Sequence, residues 1–373
     1  MDMKVGIVTF QRENNYGAIL QSFALQKVIC GLGVECETID YQRDVVGDVL
    51  QWQKNKIMGY LKGKPDKQLY TDMEFLRMTI LEKFFNHLSI KKFDMLRGKM
   101  KYSEKVDKKT IHRLEDRYDL IITGSDQVWN PGRVNLDSTY LLDWVKDGDK
   151  KASYAASFGI NEIPEKYVEK YRQCLNNYRY YSCREAEGVK ILEQLVHEEG
   201  RVVLDPTMLM TGEGWKRYTR RYNKKEPYVF VYQLGVSDTL LKCAKILARR
   251  KGLKIIALPY PRKGKNVYWM PRIGPQEWLG LIQGAEYVMT NSFHGAVFSL
   301  LFEREVYIEI TGQRVRAAMK SRIENLVRML GIEDRVIGEN GLTENTMDYD
   351  IVRKRIDKYR KESVGYLKSM LKE

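Results

Sequence analysis

Short apolar runs alternate with amphipathic ones along most of this 373-residue chain. At the start, KVGIVTF (4–10) and ECETIDY (35–41) are β-rich runs, and AILQSFALQKVICGLG (18–33) lies between them. Apolar residues of the middle segment recur at helical spacing and stop at glycines, which predicts a helix. A strand–helix–strand order predicts a parallel sheet covered by helices, and therefore an α/β fold.

The alternation is interrupted once and later restarts, which predicts two units. Residues 45–115 are rich in Lys, Met and aromatic residues and predict a helical insertion, with its clearest helix over 66–88. A new series begins at YVFVYQLG (228–235), with helices expected at about 238–251, at about 275–284 and from Phe293. We place the join at about 206–226. The predicted organisation is an N-terminal Rossmann-like domain (1–206) and a C-terminal Rossmann-like domain (207–345). An amphipathic final segment (346–373) follows, and packing back on the N-terminal domain is one option for it.

Composition narrows the class of protein. With 43% hydrophobic and 30% charged residues, the chain is expected to fold around sizeable cores. No apolar run approaches the ~20 residues that span a bilayer, and the N-terminus lacks the pattern of a signal peptide. Five cysteines without C-x-x-C spacing argue against a disulfide framework or a structural zinc site. The simplest interpretation is a soluble cytoplasmic protein, with peripheral binding at the inner face of the membrane left open.

The net charge of +14 favours anionic partners, whether nucleic acid, anionic lipid headgroups or phosphorylated small molecules. Basic residues cluster only modestly, as in KRYTRRYNKK (216–225), and no recognised nucleic-acid module surrounds them. We therefore expect no nucleic-acid partner. A solvated surface, a membrane surface and an anionic substrate all remain open explanations of the charge.

Polar residues gather in loops at the carboxyl ends of predicted strands, which is the edge where open α/β sheets bind ligands. The first such loop, within FQRENNYGAILQ, places Asn15, Tyr16 and Gly17 at the start of a helix. Free backbone N–H groups there favour an anion or a sugar hydroxyl, and Gly17 allows close approach. An asparagine N-cap without any ligand is the alternative.

The second loop, GSDQVWN (124–130), combines Gly, Ser, Asp, Gln, Trp and Asn within seven residues directly after an apolar strand. The side chains of Ser125, Asp126 and Gln127 can bind sugar hydroxyls, and Asp126 is a candidate base. Trp129 can cover the face of a sugar ring. The alternative is an Asx-turn with Trp129 packed in the core.

The third loop, TNSFHG (290–295), opens another helix. Asn291 or Ser292 can cap this helix, and His294 lies in its first turn, close to Gly295. The positive end of the helix dipole disfavours a charged histidine, whereas a bound anion restores the charge and yields a general acid. A capping or core histidine is the alternative.

An arginine stands at a further strand-to-helix turn, in SCRE (182–185). The fork of the Arg184 guanidinium can hold a phosphate or carboxylate through two parallel hydrogen bonds. A surface ion pair with Glu185 or Glu187 is the alternative.

Six segments in this order resemble the polysaccharide pyruvyl transferase family: VTFQRENNYGAILQSFALQ, DLIITGSDQVWNP, YAASFG, SCREAEG, VVLDPT and NSFHGAVFSLLF. They cover most of residues 4–310. The resemblance implies two Rossmann-like domains facing a cleft, in a GT-B-like fold. It also implies transfer of the enolpyruvyl unit of phosphoenolpyruvate to a sugar of a polysaccharide or of its lipid-linked precursor, forming a pyruvate ketal. Phosphoenolpyruvate is then the donor substrate, and no metal or other cofactor is expected.

The resemblance also implies roles for the loop residues. His294 would be the general acid, and Asp126 would accept or orient the proton of the sugar hydroxyl. The donor would contact Arg184, Asn291, Ser292 and Gly295. The acceptor would contact Asn15, Tyr16, Gly17, Ser125, Gln127 and Trp129. The family commonly has arginine where this chain has Ser292, and the residues that could supply the missing charge are Arg314, Arg316, Lys320 and Arg322.

Two other functions stay open from the sequence. A glycosyltransferase of the same fold would use a nucleotide sugar, and a non-catalytic protein would only bind a sugar or phosphate. The acceptor sugar, its linkage to lipid and the oligomeric state are not encoded in any recognisable pattern.

Overall fold

The computed structural model describes residues 3–43, 89–134, 137–222, 226–234, 237–258, 267–270, 273–310, 317–338, 341–343 and 345–372. Strands in these ranges form two sheets of five strands each and one sheet of two strands. The predicted helix over 66–88 lies outside the described residues.

The first sheet contains β1 (Lys4–Val8), β2 (Glu35–Tyr41), β3 (Tyr102–Val106), β4 (Leu120–Thr123) and β5 (Lys151–Ser153), in the order β3-β2-β1-β4-β5. All of its strand pairs are parallel. Helix α1 (Tyr16–Gly31) connects β1 to β2, and its N-cap is Asn15, whose side chain accepts from the backbone N–H of Ala18. The short helix α2 (Pro131–Val134) follows β4, and α3 (Glu165–Leu175) follows β5.

The second sheet repeats this order with β8 (Tyr228–Tyr232) at its centre. Its other strands are β9 (Lys254–Leu258), β10 (Val267–Trp269), β11 (Tyr287–Thr290) and β12 (Glu305–Ile308), and the order is β10-β9-β8-β11-β12. These pairs are also parallel. The connecting helices are α7 (Asp238–Lys251), α8 (Pro275–Gln283) and α9 (Phe293–Leu301).

The remaining elements link the two sheets. Strands β6 (Ser182–Cys183) and β7 (Arg201–Val202) form the small sheet around α4 (Ala186–Val196), and α5 (Pro206–Leu209) and α6 (Gly212–Lys216) follow. After the second sheet come α10 (Ala317–Leu330) and α11 (Tyr349–Met370). Residues 89–97 are also helical, and four 3₁₀ segments are described: Ile111–Arg117, Ser138–Leu141, Gly148–Lys150 and Glu333–Arg335.

Two sheets with the same crossover order are two Rossmann-like halves. The predicted α/β fold with two Rossmann-like domains is therefore confirmed. One hydrophobic cluster contains buried residues from both halves, including Ile7 and Phe23 of the first and Phe230 and Trp278 of the second. The two halves therefore share part of their hydrophobic core.

Two elements differ from the sequence prediction. Strand β3 lies inside the range predicted as a helical insertion, and it extends the first sheet through its pairing with β2. Helix α10 was not predicted. The final helix contacts residues before position 206: Ser363 Oγ accepts from the backbone N–H of Leu204 at 3.0 Å, and Tyr366 Oη donates to the carbonyl of Tyr181 at 3.0 Å. The domain limits at 206 and 345 stay a prediction.

None of the described helices is both long and apolar enough to cross a bilayer.

Candidate functional site

The candidate site is built around the carboxylate of Asp205. This residue follows the small sheet and caps α5, where its Oδ1 accepts from the backbone N–H of Thr207 at 3.0 Å and from Thr207 Oγ1 at 2.7 Å. Asp205 is only 1% exposed. Because both bonds hold Oδ1, the orientation of the carboxylate is fixed, and Oδ2 points to a second set of groups.

Three side chains from separate parts of the chain converge on Asp205 Oδ2. Arg184 Nη1 donates to it at 2.7 Å, and Ser125 Oγ lies 3.1 Å away. His294 Nε2 is at 3.6 Å, within ion-pair range but too far for a good hydrogen bond. Burial opposes ionisation of this carboxyl, but its interactions with His294, Arg184 and Thr207 hold the pKa of Asp205 well below its usual range.

Arg184 is buried among three carboxylates. Besides its bond to Asp205, its Nη2 lies 3.7 Å from Asp126 Oδ1 and its Nε lies 3.8 Å from Glu185 Oε2. Neither Nε nor Nη2 has a hydrogen-bond partner among the described residues. The guanidinium also lies 4.7 Å from the ring centre of Phe293. The sequence alternative of a surface pair with Glu185 or Glu187 is corrected here, because the main partner is Asp205 and the pair is buried.

Burial dominates the titration of Glu185. It raises the pKa of the Glu185 carboxyl, although the charge of Arg184 and a hydrogen bond from Ser157 act in the other direction. Ser157 Oγ donates to Glu185 Oε1 at 2.5 Å, and Oε2 has no hydrogen-bond partner within the described ranges.

His294 reaches this cluster from the second sheet. It stands in the first turn of α9, directly after β11, and the helix is capped by Ser292 Oγ, which accepts from the backbone N–H of Gly295 at 3.3 Å. A capping role for His294 is therefore not observed. Nε2 is buried without a hydrogen-bond partner in the described part of the chain.

The other face of the imidazole lies against Gly17 of α1. A Cβ atom at Gly17 would lie 2.0 Å from His294 Nδ1, far below any real contact. The absence of a side chain at position 17 thus lets the first turn of α1 and the first turn of α9 touch. The imidazole is held between the two sheets, with Gly17 on one side and Asp205 on the other.

The second predicted loop divides into two parts. Asp126 has a φ of 74° and points its carboxylate toward Arg184, while Ser125 contacts Asp205. Gln127 lies next to Asn130, whose Nδ2 donates to Gln127 Oε1 at 3.4 Å. These residues remain near the site at the carboxyl end of β4.

Trp129 does not. It is fully buried, its Nε1 donates to the carbonyl of Tyr140 at 3.2 Å, and its ring packs 5.0 Å from that of Phe158. The structure therefore places Trp129 in the core, and we remove it from the acceptor-binding residues.

The first loop is mainly structural. Asn15 caps α1, as its alternative interpretation expected. Tyr16 stacks between Phe93 and Trp278, with ring centres 5.5 and 5.3 Å away, and its hydroxyl donates to the carbonyl of Ile273 at 3.0 Å. Tyr16 thus joins the first sheet to the second instead of facing open solvent.

The residues around His294 also have structural partners. Asn291 Oδ1 accepts from the backbone N–H of Leu234 at 2.7 Å, and a Cβ at Gly295 would lie 2.4 Å from Thr290 Oγ1. Four basic residues could replace the missing family arginine. The structure does not describe three of them at the side-chain level: Arg314, Arg316 and Lys320. Arg322 is buried and lies near Glu185.

Asp205 is the site residue that sequence reasoning missed. The signal was present in VVLDPT, where an aspartate follows an apolar run and precedes a proline. That pattern also describes an ordinary helix cap, and only the structure shows the second oxygen facing Arg184 and His294. Among the described residues, no group of three His, Cys, Asp or Glu side chains is arranged to hold a metal ion.

Solved structures similar to this chain include two UDP-GlcNAc 2-epimerases and a heptosyltransferase. UDP-GlcNAc 2-epimerase from Methanocaldococcus jannaschii aligns with a TM-score of 0.49 and 11% identity, over 96% of this chain and 92% of that chain. The Neisseria meningitidis UDP-GlcNAc 2-epimerase bound to UDP-GlcNAc gives 0.45 and 10%, over 99% and 94%. E. coli heptosyltransferase with ADP gives 0.39 and 9%, over 97% and 100%.

No curated protein sequence matches the chain significantly. The model of the polysaccharide pyruvyl transferase family, in contrast, matches residues 15–308, which include Gly17, Asp126, Arg184, Asp205 and His294. The match spans most of the chain and all the groups that meet at the Asp205 carboxylate, so this chain belongs to the polysaccharide pyruvyl transferase family.

Proposed function

We propose that this protein transfers the enolpyruvyl unit of phosphoenolpyruvate to a sugar of a polysaccharide or of its lipid-linked precursor and closes a pyruvate ketal. One observation carries the proposal: a histidine and an arginine from different domains meet at the buried carboxylate of Asp205. This pairing offers a proton and a cation at one place, which protonation of an anionic enol phosphate requires.

Arg184 supplies the cation for the donor. Its Nε and Nη2 lack hydrogen-bond partners among the described residues, so a phosphate or carboxylate oxygen can accept from them while Nη1 stays on Asp205. The bond to Asp205 fixes the guanidinium plane before the donor binds, which reduces the entropy lost on binding.

His294 supplies the proton. Nε2 of the imidazolium delivers its proton to the methylene carbon of phosphoenolpyruvate, which becomes a methyl group and leaves an oxocarbenium-like centre at C2. A sugar hydroxyl attacks C2, and Asp126 accepts or orients the proton of that hydroxyl. Inorganic phosphate then leaves with the proton that the first hydroxyl gave up, which re-forms the electrophilic centre. A second hydroxyl of the sugar attacks this centre and closes the ketal, and its proton passes to the now neutral His294. The scheme uses no cofactor.

Asp205 positions both groups. Its Oδ2 accepts from Arg184 and faces His294 Nε2, so one fixed carboxylate orients the cation and the acid toward the same place. Ser125 and Thr207 fix the carboxylate in turn. The excess of positive charge, +14, suits an anionic, lipid-linked acceptor at a membrane surface as well as a phosphorylated donor.

The direct test is incubation of the purified chain with phosphoenolpyruvate and a panel of lipid-linked and nucleotide-linked sugars. We expect phosphate release that depends on one acceptor, and a product heavier by one pyruvate ketal in the mass spectrum. His294→Gln serves as the inactive control. Binding of nucleoside diphosphates in thermal shift, together with sugar transfer from a nucleotide sugar, would instead establish the glycosyltransferase. Binding without any product would establish a sugar- or phosphate-binding protein.

A further inference from the structure

The solvent-facing side of the final helix, α11, carries a row of lysines. The buried residues of this helix are Val352, Ile356, Ser363, Leu367 and Met370. Residues three, four or seven positions apart lie on the same face of a helix, and on the face opposite the buried one they are exposed lysines. We call these the lysine row: Lys354, Lys358, Lys361 and Lys368. At 1.5 Å of rise per residue the row is about 20 Å long.

The positive charges of the lysine row are not compensated by neighbouring acids. Two arginines of the same helix do have such partners, since Arg353 pairs with Asp350 and Arg360 pairs with Asp357. No member of the lysine row forms an ion pair with a residue that the structure describes. The field of these four ammonium groups is therefore directed into the solvent, where an anionic partner can meet it.

The basic surface continues into a cavity beside α11. This cavity of about 1000 Å³ lies between α6, α11 and the carboxyl ends of α8 and α9, and its described lining has five basic residues and three acidic ones. Lys216 and Arg221 line it from one side, and Arg353 and Arg360 of α11 line it from the other. The structure thus brings the basic segment 216–225 next to α11. The cavity has room for the headgroup of a phospholipid.

An exposed apolar side chain lies at the start of the lysine row. Ile351 is 47% exposed and stands three positions before Lys354, on the same side of the helix. At a bilayer surface, lysines reach the headgroup phosphates while a neighbouring apolar side chain enters the boundary of the acyl chains. The phosphate backbone of a nucleic acid offers no such apolar layer to Ile351. The combination of charges and Ile351 therefore favours lipid over nucleic acid.

We propose that the lysine row, together with Ile351 and the adjoining cavity, docks this protein on an anionic phospholipid bilayer. The opposite face of α11 is tied to the candidate site, because Ser363 Oγ accepts from the backbone N–H of Leu204, the neighbour of Asp205, at 3.0 Å. Docking on the lysine row places that chain segment roughly one helix diameter, ~10 Å, behind the bilayer surface. Access to a lipid-linked sugar rests on the proposed function, whereas the docking itself does not.

The test measures binding to sedimented vesicles of phosphatidylglycerol mixed with phosphatidylcholine, and to vesicles of phosphatidylcholine alone. We expect binding only to the anionic vesicles, and weaker binding as salt is added. A triple variant combines Lys354→Gln, Lys358→Gln and Lys361→Gln. Each lysine near an anionic surface strengthens binding by about fivefold, so the triple variant should bind about 100-fold more weakly. The three side chains are exposed, so the variant should keep its fold, which circular dichroism checks.

The matched control removes the same charge from another exposed helix face. It combines Lys242→Gln, Lys245→Gln and Arg249→Gln in α7, where all three side chains are exposed. Charges that lie farther from the lipid than the screening length of about 10 Å contribute little to binding, so the control should stay within about threefold of the wild type. An equal loss in both triple variants would show that net charge alone attracts the protein, and would overturn the docking face.

The remaining outcomes separate this inference from the proposed function. Failure of the folded wild type to bind anionic vesicles, or equal binding to both kinds of vesicle, would overturn the docking. Duplex DNA is titrated in parallel, and a protein that binds DNA but not vesicles would have a nucleic-acid surface instead. Vesicle binding that depends on the lysine row, in a protein that transfers no pyruvyl group to any acceptor, would leave the docking in place and reject the proposed function.

Discussion

Gly17→Ala is the perturbation for which the structure gives the most direct geometric expectation. The new Cβ would lie 2.0 Å from His294 Nδ1 and 2.6 Å from the neighbouring ring carbons. An ordinary contact begins at about 3.4 Å, so the imidazole and the helix start must separate by roughly 1.4 Å. The opposite face of the imidazole is held near Asp205 Oδ2, at 3.6 Å, so the separation cannot occur without changing that distance.

Two effects of this substitution oppose each other. Gly17 lies in a helix, where alanine is favoured over glycine by up to about 1 kcal/mol. The clash works against this gain, and close-packed surroundings make overpacking cost about 1–3 kcal/mol. We therefore expect a net loss of stability between roughly zero and 3 kcal/mol. A displacement of about 1 Å at a catalytic group typically costs on the order of 100-fold in rate, so turnover should fall by at least that factor.

The assay compares phosphate release from phosphoenolpyruvate with the free energy of unfolding from urea titration. Gly31→Ala is the matched control, because Gly31 ends the same helix and a Cβ there would meet nothing within 4 Å. That control should keep full turnover. If folded Gly17→Ala turns over within threefold of the wild type, the contact between Gly17 and His294 does not position the acid.

Three further substitutions test the site and its surroundings. His294→Gln should keep thermal stability and donor binding within a few-fold while turnover falls by ~10²–10⁴, and near-normal turnover in a folded variant would end the catalytic assignment. Asp205→Asn should lower the free energy of unfolding by roughly 3 kcal/mol at pH 7. The pKa of Asp205 is depressed in the native state, so its stabilising contribution is present above the unfolded value of ~3.9 and is lost as pH falls further. The difference in free energy of unfolding between the wild type and Asp205→Asn, measured by urea titration, should therefore shrink toward acid pH. A constant difference would contradict the ion pair. Trp129→Phe should cost about 1–3 kcal/mol in urea titration and leave the KM for the acceptor unchanged, whereas a raised KM would return Trp129 to the acceptor site.

The sequence alone determined the elements whose signals are local. Helix α7 was expected at about 238–251 and is observed at Asp238–Lys251, because its apolar spacing, the cap at Ser237 and the left-handed Gly252 all lie within one short segment. The restart of alternation at Tyr228 similarly identified the second sheet. Parallel pairing follows from strand–helix–strand order, so the fold class could be predicted without any long-range contact.

Only the tertiary structure decided which polar residues form the site. Arg184 is 21 positions from Asp205 and Ser125 is 80 positions away, so no local pattern relates them. Local sequence predicts a helix cap equally well for Asn15, Ser292 and Asp205. Only the tertiary structure shows that the second carboxylate oxygen of Asp205 faces Arg184 and His294.

The same distinction explains Trp129 and β3. A tryptophan in a polar loop is compatible with a sugar site or a core, and burial against Phe158 decided for the core. Strand β3 has the burial pattern of a half-exposed edge strand. Because it contains charged residues, its sequence did not predict a strand that pairs with β2. In each case the deciding free energy comes from apolar area and hydrogen bonds shared with residues far along the chain, which a local sequence pattern does not contain.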